Sequence, residues 1–414
     1  MNVQKSNLPP KVPGYETMRE LRKAIYGLIL MLFSVLTVAC GDTSASLPQK
    51  PTSIVATARS SRVDITWEMT PGATSYKIYS ATSPDDTFVV RSSLTPQYQL
   101  TGLTNETPYY IKISAVNSKG ESEPSATLKV TPSPVLENPY EPKNIALKGQ
   151  LHCHTTNSDG NSTPLVVGQA YKDAGYDFIM FSDHDKFTPP PALPDFIFLQ
   201  GVEETTHEGH ILSVNVQKNV QTWDTQLVLN QIKDDGGMAI IAHPNHPSLG
   251  FDLNQLIGLK NFTGIEIFNS LSSIIKANPN AENKWDILLA AGNKVYGFAT
   301  DDMHILDPAK GFNGGWIKVF TDSASASEVI EGIKNGNFFA STGPNLAISQ
   351  NGTELTAVTD PSSTIEFITG NGIAKTEANV ARSSYKVQGH EKYVRVRVTA
   401  SNGKRAWSNP VFVN

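Results

Sequence analysis

Residues 151–160 read LHCHTTNSDG, and this stretch determines how the rest of the chain is interpreted. His152 and His154 stand one residue apart, directly after the strand-like pattern ALKGQL at residues 146–151. Because side chains alternate across an extended strand, both imidazoles would face the same cavity. Asp159 follows in the next loop. The pattern indicates either a metal site or a chance pair of histidines.

The other histidines favour a metal site. Eight of the nine histidines lie between residues 152 and 304, and most stand at or just beyond the end of a predicted strand. Unrelated core or surface histidines would not be expected at the same end of successive strands, whereas parallel strands build their sites there. Six histidines and three carboxylates form a mixed nitrogen and oxygen set that suits Zn, Mn or Fe. They are His152, His154, Asp159, His184, Glu203, His210, His243, Asp302 and His304.

The segment 147–344 alternates apolar strand patterns with amphipathic helices. Helices are predicted at residues 164–174, 225–235, 281–291 and 327–336. Near-continuous apolar strands between helices are typical of a parallel sheet that helices cover on its outer faces. About seven such units predict a small, irregular α/β barrel of the (βα)7 kind.

The flanking segments have a different pattern. Period-two strands at 51–132 predict a β-sandwich that resembles a fibronectin type III domain, with Trp67 in its core and Tyr109 in its tyrosine corner. Such modules act as spacers or bind a ligand. Residues 133–146 contain three prolines and predict a linker. Residues 345–414 return to period two and predict a small all-β domain.

Residues 1–40 are typical of a signal peptide, with Met18 as an alternative start. A basic stretch precedes an apolar run, and LTVAC at residues 36–40 resembles the lipobox of bacterial lipoproteins, in which Cys40 is lipidated. This resemblance implies an exported, membrane-anchored lipoprotein that faces the periplasm or the cell exterior, with residues 41–50 as a tether. An uncleaved anchor helix is the alternative.

The order of motifs in residues 147–343 resembles the polymerase and histidinol phosphatase (PHP) family. In order, the chain has HxH, a DH after the second strand, a lone glutamate, HP and a late DxH. The resemblance implies a distorted seven-stranded barrel with two or three metal ions, held by the nine residues named above and bridged by a carboxylate such as Glu203. GNFFASTGP at 336–344 and RAWSNPVFV at 405–413 resemble the branch related to carbaryl hydrolase, in which a small β domain follows the barrel.

The family resemblance implies hydrolysis of a phosphoester by a hydroxide that bridges the metal ions. However, no arginine occurs between Arg91 and Arg382, so a guanidinium clamp for a phosphomonoester dianion is missing from this segment. A phosphodiester, or a small or oligomeric carboxylic ester, amide or carbamate, suits it better. A second alternative is a surface lipoprotein whose β domains bind a polysaccharide or protein. The net charge of -5 does not favour nucleic acid as a partner.

Six further residues are candidates for other roles. Asp183 and His207 could orient a ligand or supply an acid, although a strand-end cap and a surface histidine are the simpler alternatives. Substrate contacts are predicted for Lys186, His246 and Asn269. Glu266 also lies at a strand end and could line the pocket.

Overall fold

The computed structural model describes residues 46–414. The predicted signal peptide and Cys40 lie outside these residues. Within the described part, no helix combines the length and the apolar character needed to cross a bilayer.

The first domain is a sandwich of two antiparallel sheets. One sheet has the order β1-β2-β5, and the other has the order β4-β3-β6-β7 with β8 beside β6. The strands are Val55–Arg59 (β1), Arg62–Thr66 (β2), Ser75–Ala81 (β3), Val89–Ser93 (β4), Gln97–Thr101 (β5), Tyr109–Asn117 (β6), Gly120–Glu121 (β7) and Leu128–Val130 (β8).

Two aromatic residues anchor this sandwich as the sequence predicts. Trp67 is buried between the sheets, and its ring meets Tyr76 edge to face with centroids 5.1 Å apart. The hydroxyl of Tyr109 accepts a hydrogen bond from the backbone N–H of Thr104 at 3.0 Å. This contact ties the start of β6 to the loop before it, which is the geometry of a tyrosine corner.

The central domain mixes eleven short strands with six helices. The strands are Leu136–Glu137 (β9), Ile145–Gln150 (β10), Phe178–Met180 (β11), Ile197–Leu199 (β12), Gly201–Thr205 (β13), His210–Val214 (β14), Met238–Ile241 (β15), Gly264–Asn269 (β16), Tyr296–Thr300 (β17), Trp316–Thr321 (β18) and Phe338–Ser341 (β19). The helices are Pro164–Asp173 (α1), Thr225–Asp234 (α2), Leu253–Gly258 (α3), Ser270–Ile274 (α4), Glu282–Ala290 (α5) and Ala326–Lys334 (α6). The four predicted helices are present, and α3 and α4 are additional.

The central strands belong to two sheets, in which only some of the neighbouring strands are parallel. Parallel pairing occurs in β10-β11-β12 and in β15-β16-β17. The pairs β13-β14, β14-β15, β10-β18 and β18-β19 are antiparallel, which differs from the predicted parallel sheet. For β13 and β14 the reason is the short turn 206–209, because a parallel pair needs a crossover of a dozen residues or more. Single-residue bridges join His184 to Glu203 and Cys153 to Met303.

The third region continues the sheet of the central domain. Its strands are Asn345–Asn351 (β20), Glu354–Thr369 (β21), Gly372–Lys386 (β22), Tyr393–Thr399 (β23), Arg405–Ser408 (β24) and Val411–Val413 (β25). Strand β24 pairs with β19, and β25 pairs with β9 inside the predicted linker. Trp407 and Tyr393 also belong to the hydrophobic core of the central domain. The sheet therefore runs through the predicted boundary at residue 344.

Candidate metal centre

The nine predicted donors come from the ends of neighbouring strands. His152 and His154 follow β10, His184 follows β11, and His243 follows β15. Asp302 and His304 follow β17. Glu203 lies within β13, and His210 begins β14 directly opposite Thr205 in the hairpin. The structure brings all nine side chains to one place.

The donors form four overlapping groups, each with one ligand atom per residue and all atoms within 4.8 Å of one another. The centre could hold more than one ion, because four residues each belong to two groups. These are His152, His154, His184 and Glu203. The groups are His154, Asp159, His184 and His304; His152, His154 and Glu203; His152, His243 and Asp302; and His184, Glu203 and His210.

Glu203 occupies the middle of the centre and is fully buried. Its Oε2 lies 3.1 Å from Nε2 of both His152 and His154 and 3.3 Å from Nδ1 of His184. Its Oε1 lies 2.9 Å from Nδ1 of His210 and 3.1 Å from Nε2 of His243. One carboxylate therefore faces five imidazoles.

Asp159 lies at the more open side of the centre, where its side chain is 54 % exposed. Its Oδ2 lies 3.2 Å from Nε2 of His304 and 3.7 Å from Nε2 of His184. Its Oδ1 lies 3.4 Å from Nδ1 of His154. The rings of His154 and His304 stack with centroids 4.1 Å apart. This group can hold an ion that a substrate reaches from solvent.

Several buried donor atoms lack a hydrogen bond among the described residues. They include Nε2 of His152, Nε2 of His154 and Oε2 of Glu203, although each of the two nitrogens lies only 3.1 Å from that oxygen. These short contacts do not have the geometry of a hydrogen bond. Buried polar atoms normally find partners, so a cation between them is the arrangement that would satisfy all three.

Charge interactions in the centre raise the pKa of His154 and lower the pKa of Glu203. Burial opposes protonation of His154, but nearby Asp302 and Glu203 raise its pKa to about 9. Burial also opposes ionisation of Glu203, yet the charge of His152 and contacts with the surrounding imidazoles hold its pKa well below the usual range. Without a metal ion His154 therefore favours its protonated form, and a divalent cation that binds this ring would have to displace the proton.

Glu266 holds two of the histidines from behind. Its Oε1 lies 2.7 Å from Nδ1 of His152 and accepts a hydrogen bond from Thr300 Oγ1 at 2.6 Å. Its Oε2 accepts the backbone N–H of His243 at 2.6 Å. A carboxylate on Nδ1 fixes the ring orientation and leaves Nε2 as the lone pair that faces the centre.

Asp183 holds the loop that carries Asp159. Its Oδ1 accepts hydrogen bonds from the Thr155 backbone N–H and Ser158 Oγ, both at 2.7 Å, and its Oδ2 accepts from Thr155 Oγ1 at 2.8 Å. Thr188 also donates to it. The side chain is fully buried and committed to the loop. These contacts fit the orienting role among those predicted for Asp183 and do not fit the acid.

The backbone is strained at two donors. His243 has φ of 24° and Asp302 has φ of 55°, a region that non-glycine residues seldom adopt. The contact between the His243 N–H and Glu266 holds the first, and a hydrogen bond from the Asp302 N–H to the His152 carbonyl at 3.0 Å holds the second. Strain of this kind is characteristic of functional sites.

The other residues predicted to contact substrate or to supply an acid differ in burial. Asn269 is buried, donates to Glu266 and Asp302 at 2.9 and 3.2 Å, and caps α4 by accepting from Ser272 N–H. Because its amide is used in this way, it positions Asp302 and is not free for the predicted substrate contact. His207 is exposed on the hairpin turn, where its ring packs against Trp223. Lys186 is exposed two residues after His184.

His246 is half-buried beside the centre, with its ring centroid 5.3 Å from that of His243. Burial and the charge of His243 lower its pKa. It therefore favours the neutral form.

Two buried residues that hold the backbone beside the ligand motifs were not predicted from the sequence. Gln150 Oε1 accepts the backbone N–H groups of Leu151 and His152 at 3.0 and 3.1 Å. Asp301 accepts three consecutive backbone N–H groups from residues 313–315, at 2.7 to 2.8 Å. Burial raises the pKa of Asp301 to about 6, although these contacts oppose the rise. The available signal was a polar residue one or two positions before a ligand motif.

Comparison with known proteins identifies the first domain. Residues 48–131 match the family model of the fibronectin type III domain, so the prediction for residues 51–132 is confirmed. A Fn3-like protein from Clostridium thermocellum is 29 % identical, with a TM-score of 0.20; the match covers 22 % of this chain and 100 % of that chain. An amylopullulanase from Thermoanaerobacterium saccharolyticum is 33 % identical over 94 residues. That match covers 22 % of this chain, and the chain spans only 7 % of the length of that relative.

One solved structure covers more of the chain. It is a two-domain protein from Bacteroides vulgatus, described as containing a predicted PHP-like metal-dependent phosphoesterase. The identity is 16 % and the TM-score is 0.36, and the match covers 68 % of this chain and 97 % of that chain.

Proposed function

We propose that residues 147–344 form a metal-dependent hydrolase with two or three divalent transition ions. The observation that carries this proposal is a cluster of buried donor atoms that lack hydrogen bonds within residues 46–414. It is led by Nε2 of His152 and His154, each 3.1 Å from Oε2 of Glu203. Nitrogen and carboxylate oxygen donors fit Zn, Mn or Fe. A purely structural cluster would satisfy these atoms within the protein.

The chemistry of such a centre is hydrolysis. Bound divalent ions supply Lewis acidity and water activation at neutral pH. The residues of the chain would then hold and orient this centre: Glu266 fixes the ring of His152, and Asp183 fixes the loop of Asp159. The open side beside Asp159 and His304 gives a substrate access to the donors.

We favour phosphoesters, and phosphodiesters in particular, as the substrate class. Bound divalent ions would attract the anionic oxygens of a phosphoester, but residues 92–381 contain no arginine to clamp a dianion. Arg395, Arg397 and Arg405 do not compensate, because they pair with Glu282, Asp286 and Glu366. Lys186 offers one exposed positive charge two residues after His184 in the sequence. The same lack of arginine supports neutral carboxylic esters, amides or carbamates as the second candidate.

The test combines metal analysis with a substrate panel. Protein purified without chelators should contain at least two transition ions per chain, and His152→Ala should lose both metal and activity, whereas the exposed His390→Ala should not. Chromogenic phosphomonoesters, phosphodiesters and carboxylic esters should be compared with added Mn or Zn. A folded protein without metal contradicts the proposal, and fast turnover of a phosphomonoester alone contradicts the interpretation of the missing arginines.

We further propose that the protein is exported and anchored to a membrane by lipid on Cys40. The proposal is supported by the signal-like segment before Cys40 and by its lipobox-like sequence. A polysaccharide or surface protein bound by the β domains is the partner class that this location suggests. Metabolic labelling with a fatty acid, lost in Cys40→Ser, tests the anchor.

A further inference from the structure

His246 lies next to the donor cluster but belongs to none of its four groups in the described part of the chain. Its backbone N–H donates to the carbonyl of His243 at 2.8 Å, so both histidines sit in one tight turn. Its ring centroid lies 5.3 Å from that of the predicted donor His243, which places the ring at the edge of the centre. A residue in this position can contact what the centre binds.

Hydrogen bonds fix which ring nitrogen carries the proton. Nδ1 of His246 accepts the backbone N–H groups of Leu249 at 3.1 Å and of Ser248 at 3.3 Å. A backbone N–H can only donate, so Nδ1 must present a lone pair. A neutral ring must then carry its proton on Nε2. Among residues 46–414, no hydrogen-bond partner is found for Nε2.

The turn that carries His246 is held rigidly on two sides. A Cβ on Gly250 would lie 2.5 Å from the His246 carbonyl oxygen and 2.7 Å from that of Pro244, so the turn closes tightly over this glycine. Lys284 Nζ donates to the carbonyls of Pro244 and Phe251, both at 2.6 Å. The direction of the imidazole is therefore set before any ligand arrives, which is the condition for an effective charge-stabilising donor.

We propose that His246 is a catalytic residue that donates its Nε2–H, as a neutral imidazole, to a substrate oxygen on which negative charge develops. This role rests on the proposed hydrolase function. It involves a hydrogen bond only: the proton stays on Nε2, and no bond to the histidine forms or breaks. The oxygen belongs to a phosphoryl or acyl group, the acceptor that both substrate candidates share.

A matched pair of substitutions tests this role. In His246→Asn the side-chain oxygen can still accept from Ser248 and Leu249, but the Nε2–H is lost. We expect kcat to fall about 10²- to 10³-fold, with metal content unchanged. In His246→Gln the amide N–H can reach the position of Nε2, and we expect at least about a tenfold recovery of kcat. Glutamine cannot transfer a proton, so equally low kcat in both variants overturns the proposal, as does unchanged kcat in His246→Asn.

Two measurements without turnover separate this proposal from the proposed hydrolase function. Nitrogen-15 NMR of the metal-loaded wild-type protein should show Nδ1 unprotonated and Nε2 protonated at His246; the opposite tautomer overturns the proposal. Calorimetric titration with inorganic phosphate should show weaker binding to His246→Asn than to wild type and His246→Gln; equal binding overturns it. If metal binds but no ester is hydrolysed, the proposed function fails, whereas the NMR and phosphate results still decide whether His246 is a donor.

Discussion

Glu266 and His152 form a fully buried pair, in which Glu266 Oε1 lies 2.7 Å from His152 Nδ1. The pair sets the direction of His152 Nε2 towards Glu203 and Asp302. We expect Glu266→Gln to weaken metal binding by about 10- to 100-fold, because the contact that orients and charges the ring is lost. Competition with a chromogenic chelator measures the affinity. Glu354→Gln, an exposed position, is the control, and equal affinities for the two variants would contradict this assignment.

Removing the charge of Asp183 should loosen the open side of the centre. In Asp183→Asn one of the two carboxylate oxygens becomes an NH₂ group that cannot accept from Thr155 or Ser158. We expect a loss of about 1–3 kcal/mol in the free energy of unfolding and a lower metal content. Urea unfolding and elemental analysis measure the two effects. Because Asp173 is an acidic residue at the end of a helix and outside the centre, Asp173→Asn is the control.

Ionisation of Glu204 should lower the stability of the folded protein as the pH rises from about 4.5 to about 7. Burial raises the pKa of this carboxyl from 4.5 to about 7, despite hydrogen bonds from Val220 N–H and Ser213 Oγ. Between these pH values the unfolded chain releases the proton while the folded chain keeps it. The carboxyl therefore does not oppose folding below about pH 4.5, and it costs about 3 kcal/mol above about pH 7.

Glu204→Gln removes this ionisation. We expect the variant to be more stable than the wild type at about pH 8.5 and equally stable at about pH 4. Urea unfolding of chelator-treated protein at both pH values measures the difference. A stability difference of the same size at both pH values would show that the effect is not ionisation.

Arg395 should be a strong stabilising contact between the third region and the central domain. Its guanidinium is fully buried, and its Nε and Nη2 each lie 2.7 Å from an oxygen of Asp286 on α5. Arg395→Met leaves a carboxylate without its partner, so we expect a loss of about 3–5 kcal/mol in the free energy of unfolding. Chemical denaturation compares it with Arg382→Met, an exposed arginine on β22. A similar small effect of both substitutions would contradict the expectation.

The sequence could predict the donors because each stands in a short motif at a strand end. HxH and DxH place two side chains on one side of an extended chain. His243 directly follows an apolar run, and His184 stands in the SDHD segment just after another. Helices such as α2 were predictable from their apolar period and from caps, since Asp224 accepts the Leu227 N–H. These signals are local, and local signals survive in a single sequence.

Long-range relationships could not be predicted in the same way. The pattern of FIFLQGVEET at residues 196–205 predicts one strand. The structure instead divides it at Gln200 into β12 and β13, which belong to different sheets. The alternation in YVRVRVT gives no sign that Arg395 is buried, because its partner Asp286 is 109 positions away. The pairing of β24 with β19 is likewise set by packing and leaves no local pattern.

The ladder between β9 and β25 has a consequence for how the chain acquires its fold. Leu136 and Glu137 pair with Val413 and Phe412. Strand β9 is synthesised early, but it can pair only after the C-terminal residues of β25 have been synthesised. During synthesis the edge of β9 therefore stays open while the fibronectin type III domain before it can already fold. Contacts of such large sequence separation slow folding and leave strand edges exposed to other chains. Self-association of nascent or refolding chains through this edge is the hazard that the arrangement creates.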